Sequence, residues 1–160
     1  MRFGKAMADL ADPTFEGHYI PYKSLKRKIK CCRNDLCEGD TCRVDELRRQ
    51  CEEVRNSFVS ELHEALVDAD RVVADGVRAV QSSEGLRRFV AFAELNMTAT
   101  RKILKKWDKR CCCTPLGPAV DVLNSCMSRM LDVLKAKGSS EFTLVSESSL
   151  AEGAASRAGA

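Results

Sequence analysis

The sequence predicts an all-α fold, in which an N-terminal helical hairpin packs on a bundle of two long antiparallel helices plus a shorter C-terminal helix. Apolar residues recur every three or four positions through most of the chain, β-branched runs are scarce, and Pro or Gly residues separate the periodic stretches. At 160 residues, 44% hydrophobic and 31% charged, the chain is long enough for one domain with a real core. We expect this domain to span residues 1–138 and residues 139–160 to form a disordered tail.

The first two predicted helices form the hairpin. Residues 2–11 are amphipathic and stop at Asp12-Pro13. Their apolar face consists of Phe3, Met7 and Leu10. Pro21 suits the first turn of a second helix over residues 20–33. Its core-facing ridge consists of Leu25, Ile29 and Cys32, with Tyr22 at the edge of the ridge. A turn is predicted at 37–41.

Two long helices follow, over residues 43–82 and 85–112, and Ser82-Ser83-Glu84-Gly85 is the expected break between them and N-cap of the second. Gly76 weakens the first helix near its end. The seam of the first helix is Val44, Leu47, Cys51, Val54, Phe58, Leu62, Ala65, Ala69, Val72 and Val73. The second helix is expected to bury Phe89, Phe92, Ala93, Asn96, Ala99, Ile103 and Trp107. A last helix over 118–137 packs Val120, Leu123, Met127, Met130 and Leu134, with Gly138 as its C-cap.

Positive charge is concentrated in two short segments. Residues 20–33 contain six basic residues and no acid, which gives +6, and residues 101–110 contain six basic residues and Asp108, which gives +5. Because the whole chain carries only +3, the remainder carries −8. Wound as a helix, the second segment gathers four lysines within an arc of roughly 100°, namely Lys102, Lys105, Lys106 and Lys109. Like charges in register repel each other, so we expect this stripe to meet a dense anion.

The order of the helices brings both basic segments to the same end of the bundle. Two long helices joined by a short turn run antiparallel, so the basic end of the second lies near the start of the first, beside residues 20–33. We therefore predict a composite site with two walls. One wall holds Tyr22, Lys26 and Lys30, and the other holds Lys102, Lys105, Lys106 and Lys109.

The sequence contains no catalytic arrangement, and we do not expect this chain to be an enzyme. Gly-rich phosphate loops are absent, and the only histidines are His18 and His63. A solvated helix face is the expected role of Glu61, Glu64, Asp68 and Asp70. The nine cysteines lack zinc-binding spacing and follow no apolar signal-peptide core, so we expect mostly free thiols, with no metal and no cofactor.

Three segments of the chain resemble motifs of the SPX domain family. Residues 1–5, MRFGK, resemble the opening of the family, with Arg2 where the family usually has Lys. Residues 19–30, YIPYKSLKRKIK, resemble its second-helix motif, and residues 96–110, NMTATRKILKKWDKR, resemble its lysine-rich fourth helix. The resemblance extends over about residues 1–137, and three motifs in this order and spacing are highly specific.

The resemblance implies a helical module that senses cellular phosphate status by binding inositol polyphosphates, especially inositol pyrophosphates. In the family, one Tyr and two Lys form a phosphate-binding cluster, which matches Tyr22, Lys26 and Lys106. A neighbouring lysine cluster matches Lys102, Lys105 and Lys109. The N-terminal hairpin of the family lies beside this site, which adds Lys5 and Arg2 as candidates. Lys23 and Lys30 are nearby alternatives, and surface solubility is the expected role of Lys28 and Arg27.

The resemblance also implies the ligand and the kind of partner. The expected ligand is inositol hexakisphosphate or an inositol pyrophosphate, and the expected partner is a transcription factor, an enzyme domain or a transporter. Because such modules often precede an enzymatic or transport domain, the chain is either free-standing or a regulatory domain of a larger protein. We expect it in the cytoplasm, with the nucleus or the cytosolic face of a membrane as alternatives.

Two other functions would also use a basic patch. Nucleic acids present phosphates to lysines, but the stripe spans only about two helical turns and no second aromatic lies beside Trp107, which we expect in the core. Phosphoinositide membranes are the other alternative, but the apolar arc of 101–110 continues the core seam and is not free to insert. No apolar run approaches the roughly 20 residues of a membrane span.

Overall fold

The structure, a computed structural model, describes residues 2–32, 41–111 and 114–138, and for residues 41–44 it describes the backbone alone. Within these ranges the chain forms helices and no strand, which confirms the predicted all-α class. A short 3-10 helix, Pro13–Phe15, follows the first α-helix. The α-helices are α1 (Phe3–Leu10), α2 (Tyr22–Cys31), α3 (Thr41–Ala79), α4 (Ser83–Arg110) and α5 (Ala119–Lys137). Their ends differ from the predicted ones by at most three residues. The predicted tail at 139–160 lies outside the described residues, as does the turn at 37–41 except for Thr41, which begins α3.

The other helices of the bundle pack against the two long helices α3 and α4. α4 begins directly after Ser82, whose Oγ accepts a hydrogen bond from the Gly85 N–H at 3.0 Å. This side-chain cap confirms the predicted break between the long helices. α3 packs most extensively on α5 and then on α4, whereas α2 packs against both α3 and α4. The second basic segment, at the end of α4, therefore belongs to a helix that α2 contacts directly.

The predicted apolar seams form the core between these helices. Phe58 of α3 and Trp107 of α4 are fully buried, and their ring centroids lie 4.5 Å apart. The Trp107 Nε1–H donates a hydrogen bond to the Thr114 carbonyl at 2.9 Å, so the indole is satisfied inside the protein. Trp107 is thus a core residue, as predicted.

Two predictions about the hairpin are wrong. Leu10 does not belong to the buried face of α1, because it is 49% exposed at the point where the helix ends and Ala11 becomes extended. Tyr22 does not lie at the edge of the α2 ridge, because only 5% of it is exposed. The start of α1 covers it, with Gly4 close to one edge of the Tyr22 ring.

A buried amide fixes the start of α2 against α4. Asn96 is fully buried, as predicted, and its Oδ1 accepts a hydrogen bond from the Ile20 N–H at 2.8 Å. Its Nδ2–H donates to the Phe92 carbonyl one turn earlier at 3.0 Å. Because Ile20 lies two residues before Tyr22, these bonds set the position of Tyr22 relative to α4.

A second attachment holds the connector between α1 and α2. The Arg88 guanidinium of α4 donates to both carboxylate oxygens of Asp12, at 2.7 and 2.9 Å, and also contacts Thr14. The Thr14 N–H donates to the same carboxylate at 2.9 Å. These hydrogen bonds, that from Arg88 first, hold the pKa of the Asp12 carboxyl well below its usual range. The hairpin is thus tied to α4 at both ends of its connector.

Three of the four acidic residues predicted to form a solvated face of α3 are paired with basic partners, which corrects that expectation for them. The pairs are Glu61 with Lys28 at 2.6 Å, Asp68 with His18 at 2.7 Å and with Arg71 at 2.5 Å, and Asp70 with Arg129 at 3.2 Å. These three carboxylate side chains are only 21–28% exposed. Lys28 therefore links α2 to α3, where we expected a role in surface solubility. Glu64 is exposed and accepts a hydrogen bond from Ser60.

Five cysteines have described side chains, and none of the five forms a disulfide, as predicted. Three of them are buried at the meeting point of α2, α3 and α4, namely Cys32, Cys51 and Cys111. The Sγ atoms of Cys32 and Cys51 lie 4.0 Å apart. Burial, with a further contribution from Cys111, raises the pKa of the Cys32 thiol.

This burial predicts an ordered pattern of thiol reactivity. Cys31 is exposed and should be alkylated by iodoacetamide within minutes at neutral pH, because its sulfur is open to solvent. Cys32 and Cys51 should react at least tenfold more slowly, because both side chains are buried and the reagent reaches them only when the packing opens locally. Peptide mass spectrometry over a labelling time course would measure both rates. Equal rates at Cys31 and Cys32 in the folded protein would contradict the described packing.

Candidate polyanion-binding site

A basic pocket lies where α1, α2 and the end of α4 meet. Its volume is about 700 Å³, within the usual range for small-molecule sites. The lining residues are Arg2, Phe3, Gly4, Lys5, Ala8, Tyr22, Lys23, Lys26, Lys102, Lys105, Lys106 and Lys109. Eight of these twelve side chains are cationic and none is acidic. A lining with this charge produces a strongly positive electrostatic potential inside the pocket, which attracts anions.

The α4 wall follows from the helical periodicity of residues 101–110. Ile103, Leu104 and Trp107 are buried in the core. The neighbouring stripe of Lys102, Lys105, Lys106 and Lys109 is exposed and lines the pocket. The apolar face of residues 101–110 therefore packs in the core, and the lysine face of the same segment remains accessible to a ligand.

The α2 wall is held in place by the apolar ridge of that helix. Leu25 and Ile29 are buried against the bundle and leave Lys23 and Lys26 on the pocket side. Lys28 lies outside the pocket lining, since its Nζ contacts Glu61 and donates to Ser57 Oγ at 2.7 Å.

The α1 wall adds two cations and an aromatic ring. Arg2 stands at the N-cap position of α1, and Lys5 lies on its first turn. The Phe3 ring lies edge-on to the Tyr22 ring, with centroids 5.0 Å apart, and the Lys102 ammonium lies 5.0 Å from the Phe3 centroid. This is a cation–π distance. Phe3 thus touches both other walls of the pocket.

The Tyr22 hydroxyl is buried and finds no hydrogen-bond partner among the described residues. Burial raises the pKa of this phenol, so the hydroxyl keeps its proton at neutral pH. A buried hydroxyl without a partner costs free energy, and an anionic oxygen in the pocket would accept its hydrogen bond.

Nine of the ten predicted site residues line this one pocket, so the two basic segments converge as their order along the chain predicts. Lys30 does not line the pocket; it is exposed in the last turn of α2. Sequence reasoning missed Phe3, Gly4 and Ala8 as lining residues, because it assigned Phe3 only to the apolar face of α1.

The described residues contain neither a three-residue cluster of metal-ligating side chains nor a membrane-spanning helix. In residues 2–32, 41–111 and 114–138, no group of three His, Cys, Asp or Glu side chains is arranged to hold a metal ion. None of the helices in this described part combines the length and the apolar character needed to cross a bilayer.

Comparison with known proteins shows similarity to one family. The family model of the SPX domain matches residues 78–121, which include all of α4. An SPX domain-containing membrane protein of Arabidopsis thaliana is 29% identical across 68% of this chain and 19% of its own length. The chain therefore spans about a fifth of the length of that relative. No solved structure matches the chain significantly. These two matches show that the chain is similar to the SPX domain family, whose motifs the three sequence segments also resemble.

Proposed function

We propose that this chain senses phosphate status by binding inositol polyphosphates, including inositol pyrophosphates, in the basic pocket, and that the filled pocket controls contact with a partner protein. The observation that carries the proposal is the meeting of eight cationic side chains from three separate segments around one cavity without acidic lining. Bringing these charges together costs electrostatic free energy, which a bound polyanion would offset.

The number of cations favours a compact ligand with many phosphates. Each lysine ammonium is a mobile point charge with three donors, so several lysines can share several phosphates. A single orthophosphate could contact only a few of the eight cations at once. A cavity of about 700 Å³ fits a small ring that carries phosphates on all sides better than it fits an extended strand.

Two observations make nucleic acid a weaker candidate. Trp107, the aromatic residue within the basic segment of α4, is fully buried and cannot stack on a base. Tyr22 is also buried, and it offers its hydroxyl, not its ring face, as the unsatisfied group. Phosphoinositide headgroups share the phosphate chemistry of the proposed ligand, so the experiment below separates lipid from soluble inositol phosphate.

For the partner, we propose a protein that acts in phosphate balance, such as a transcription factor, an enzyme domain or a transporter. The Arabidopsis thaliana relative joins an SPX domain to a membrane protein. By analogy, ligand binding at this domain would control an attached or a separate effector on the cytosolic side. The chain itself acts as a regulator in this proposal and carries out no catalysis.

Calorimetric titration with inositol hexakisphosphate tests the proposal, and Tyr22→Phe is the informative variant. This change removes one hydroxyl and should weaken binding about tenfold, because a hydrogen bond to a charged group is worth about 1.5–3 kcal/mol. Stability should stay level or rise slightly, since the lost hydroxyl has no partner in the described structure. Tyr19→Phe is the matched control, because the Tyr19 hydroxyl accepts a hydrogen bond from the Asp12 N–H outside the pocket lining.

Parallel titrations identify the class of ligand. Pyrophosphorylated inositols, orthophosphate, a single-stranded oligonucleotide and liposomes with and without phosphoinositides would be compared at one ionic strength. We expect affinity to rise with the number of phosphates and orthophosphate to bind weakly. Failure of the wild-type protein to saturate with inositol hexakisphosphate would contradict the proposal, and so would a preference for phosphoinositide liposomes or the oligonucleotide.

A further inference from the structure

Phe3 occupies a position in the pocket that its apolar character alone does not explain. It is half-buried, and only Met7 of α1 is buried in the core. The Phe3 ring contacts two residues that we propose to bind the ligand. Its centroid lies 5.0 Å from the centroid of the Tyr22 ring and 5.0 Å from the Lys102 Nζ. The Phe3 ring is thus a contact shared by the α2 wall and the α4 wall.

These contacts restrict two side chains that a ligand would need in fixed positions. A lysine has several freely rotating bonds, and fixing it on a ligand costs up to about 2 kcal/mol of rotamer entropy. An ammonium already held on a π face has lost part of that freedom before binding. The edge contact with Tyr22 limits the tilt of the ring that carries the unpartnered hydroxyl.

We propose that Phe3 is a positioning residue of the polyanion site, whose ring holds Lys102 over the pocket in the geometry used for binding. The inference rests on the function proposed above and goes further, because it assigns a binding contribution to a residue with no charge and no hydrogen-bonding group. The Lys102 ammonium lies on the ring while Lys102 lines the pocket, so contact with the ring is compatible with contact to a ligand.

A double-mutant cycle measured by calorimetry tests this inference. Phe3→Leu keeps apolar bulk and removes the π face, and should weaken binding of inositol hexakisphosphate about two- to five-fold. In a Lys102→Met background the same change should have less than half of that effect on the binding free energy, because the group that Phe3 positions is gone. Lys109→Met is the matched control, since Lys109 lines the same pocket and has no ring contact with Phe3. In the Lys109→Met background, Phe3→Leu should change the binding free energy as much as it does in the wild-type protein.

Two further measurements separate positioning from a general loss of packing. Phe3→Tyr restores an aromatic face and should bind within about two-fold of wild type. In the ligand-free protein, NMR should detect upfield ring-current shifts of the Lys102 side-chain protons, which Phe3→Leu abolishes while the Lys109 signals stay unchanged.

The outcomes distinguish this inference from the proposed function. If wild type binds but Phe3→Leu has the same effect in the Lys102→Met background, the inference fails and the sensor function stands. Tighter binding by Phe3→Leu would also overturn it, because the ring would then compete with the ligand for the ammonium. Absence of binding by wild type would overturn the proposed function, and this inference with it.

Discussion

Replacing Lys102, Lys105 and Lys106 together by alanine is expected to lower the affinity for inositol hexakisphosphate at least about 100-fold. All three side chains line the pocket on one stripe of α4. A well-formed charge-assisted hydrogen bond contributes about 1.5–3 kcal/mol to binding. Because these lysines are exposed to solvent, we expect the three together to contribute at least about 3 kcal/mol, less than the full sum of three such bonds. Calorimetric titration at fixed ionic strength measures the loss.

The control for this variant removes equal charge elsewhere. Lys30, Lys135 and Lys137 are exposed and do not line the pocket, and their triple alanine variant lowers the net charge by the same amount. This control should change affinity less than about threefold, because exposed charges outside the pocket lining are largely screened. The pocket triple should also fold within about 1 kcal/mol of wild type, since relief of the like-charge pair of Lys102 and Lys106 partly offsets loss of the contact between Lys102 and Phe3. Equal losses in both triple variants would mean that net charge, and not the pocket, controls binding.

Gly76→Ala is expected to destabilise the protein by about 1–2 kcal/mol, although alanine is the better helix former. A Cβ at Gly76 would lie 2.0–2.9 Å from three atoms of the Phe89 ring, far inside van der Waals contact. Phe89 packs on Phe15 with a centroid distance of 5.1 Å, so its ring cannot move aside without losing that contact. The clash outweighs the gain in helix propensity. Thermal unfolding followed by circular dichroism should show a melting temperature lower by about 5 °C.

A second background tests whether Phe89 is the cause. In a Phe89→Ala protein the obstructing ring is absent, and Gly76→Ala should then be neutral or stabilising by up to about 1 kcal/mol, as helix propensity alone requires. If Gly76→Ala destabilised both proteins equally, the clash with the Phe89 ring would not be the cause of the destabilisation.

Much of the candidate pocket could be predicted because local periodicity decides which face of a helix is buried. The pattern of Ile103, Leu104 and Trp107 assigns the inner face of α4, and the lysines between them must then point outward. The short connection after Ser82 makes the long helices antiparallel, which brings both basic segments together. Neither step requires knowledge of how the helices are rotated against each other.

The parts that could not be predicted depend on that rotation and on the register between helices. The pairing of Lys28 with Glu61 depends on which turn of α2 faces which turn of α3, and periodicity carries no such information. The same holds for the contact of Gly76 with Phe89, since the sequence indicates only that a glycine weakens a helix. Phe3 illustrates the limit best, because its apolar pattern predicts burial and not a contact with a lysine of another helix.

Lysine footprinting with and without inositol hexakisphosphate tests most directly whether α1, α2 and α4 form one receptor. Acetylation by a water-soluble reagent, followed by peptide mass spectrometry, reports the accessibility of each lysine. We expect saturating ligand to protect Lys5, Lys26 and Lys106 together, over one concentration range, while Lys30 and Lys135 keep their reactivity. Protection confined to a single helix, or spread equally over lysines inside and outside the pocket, would contradict a shared site.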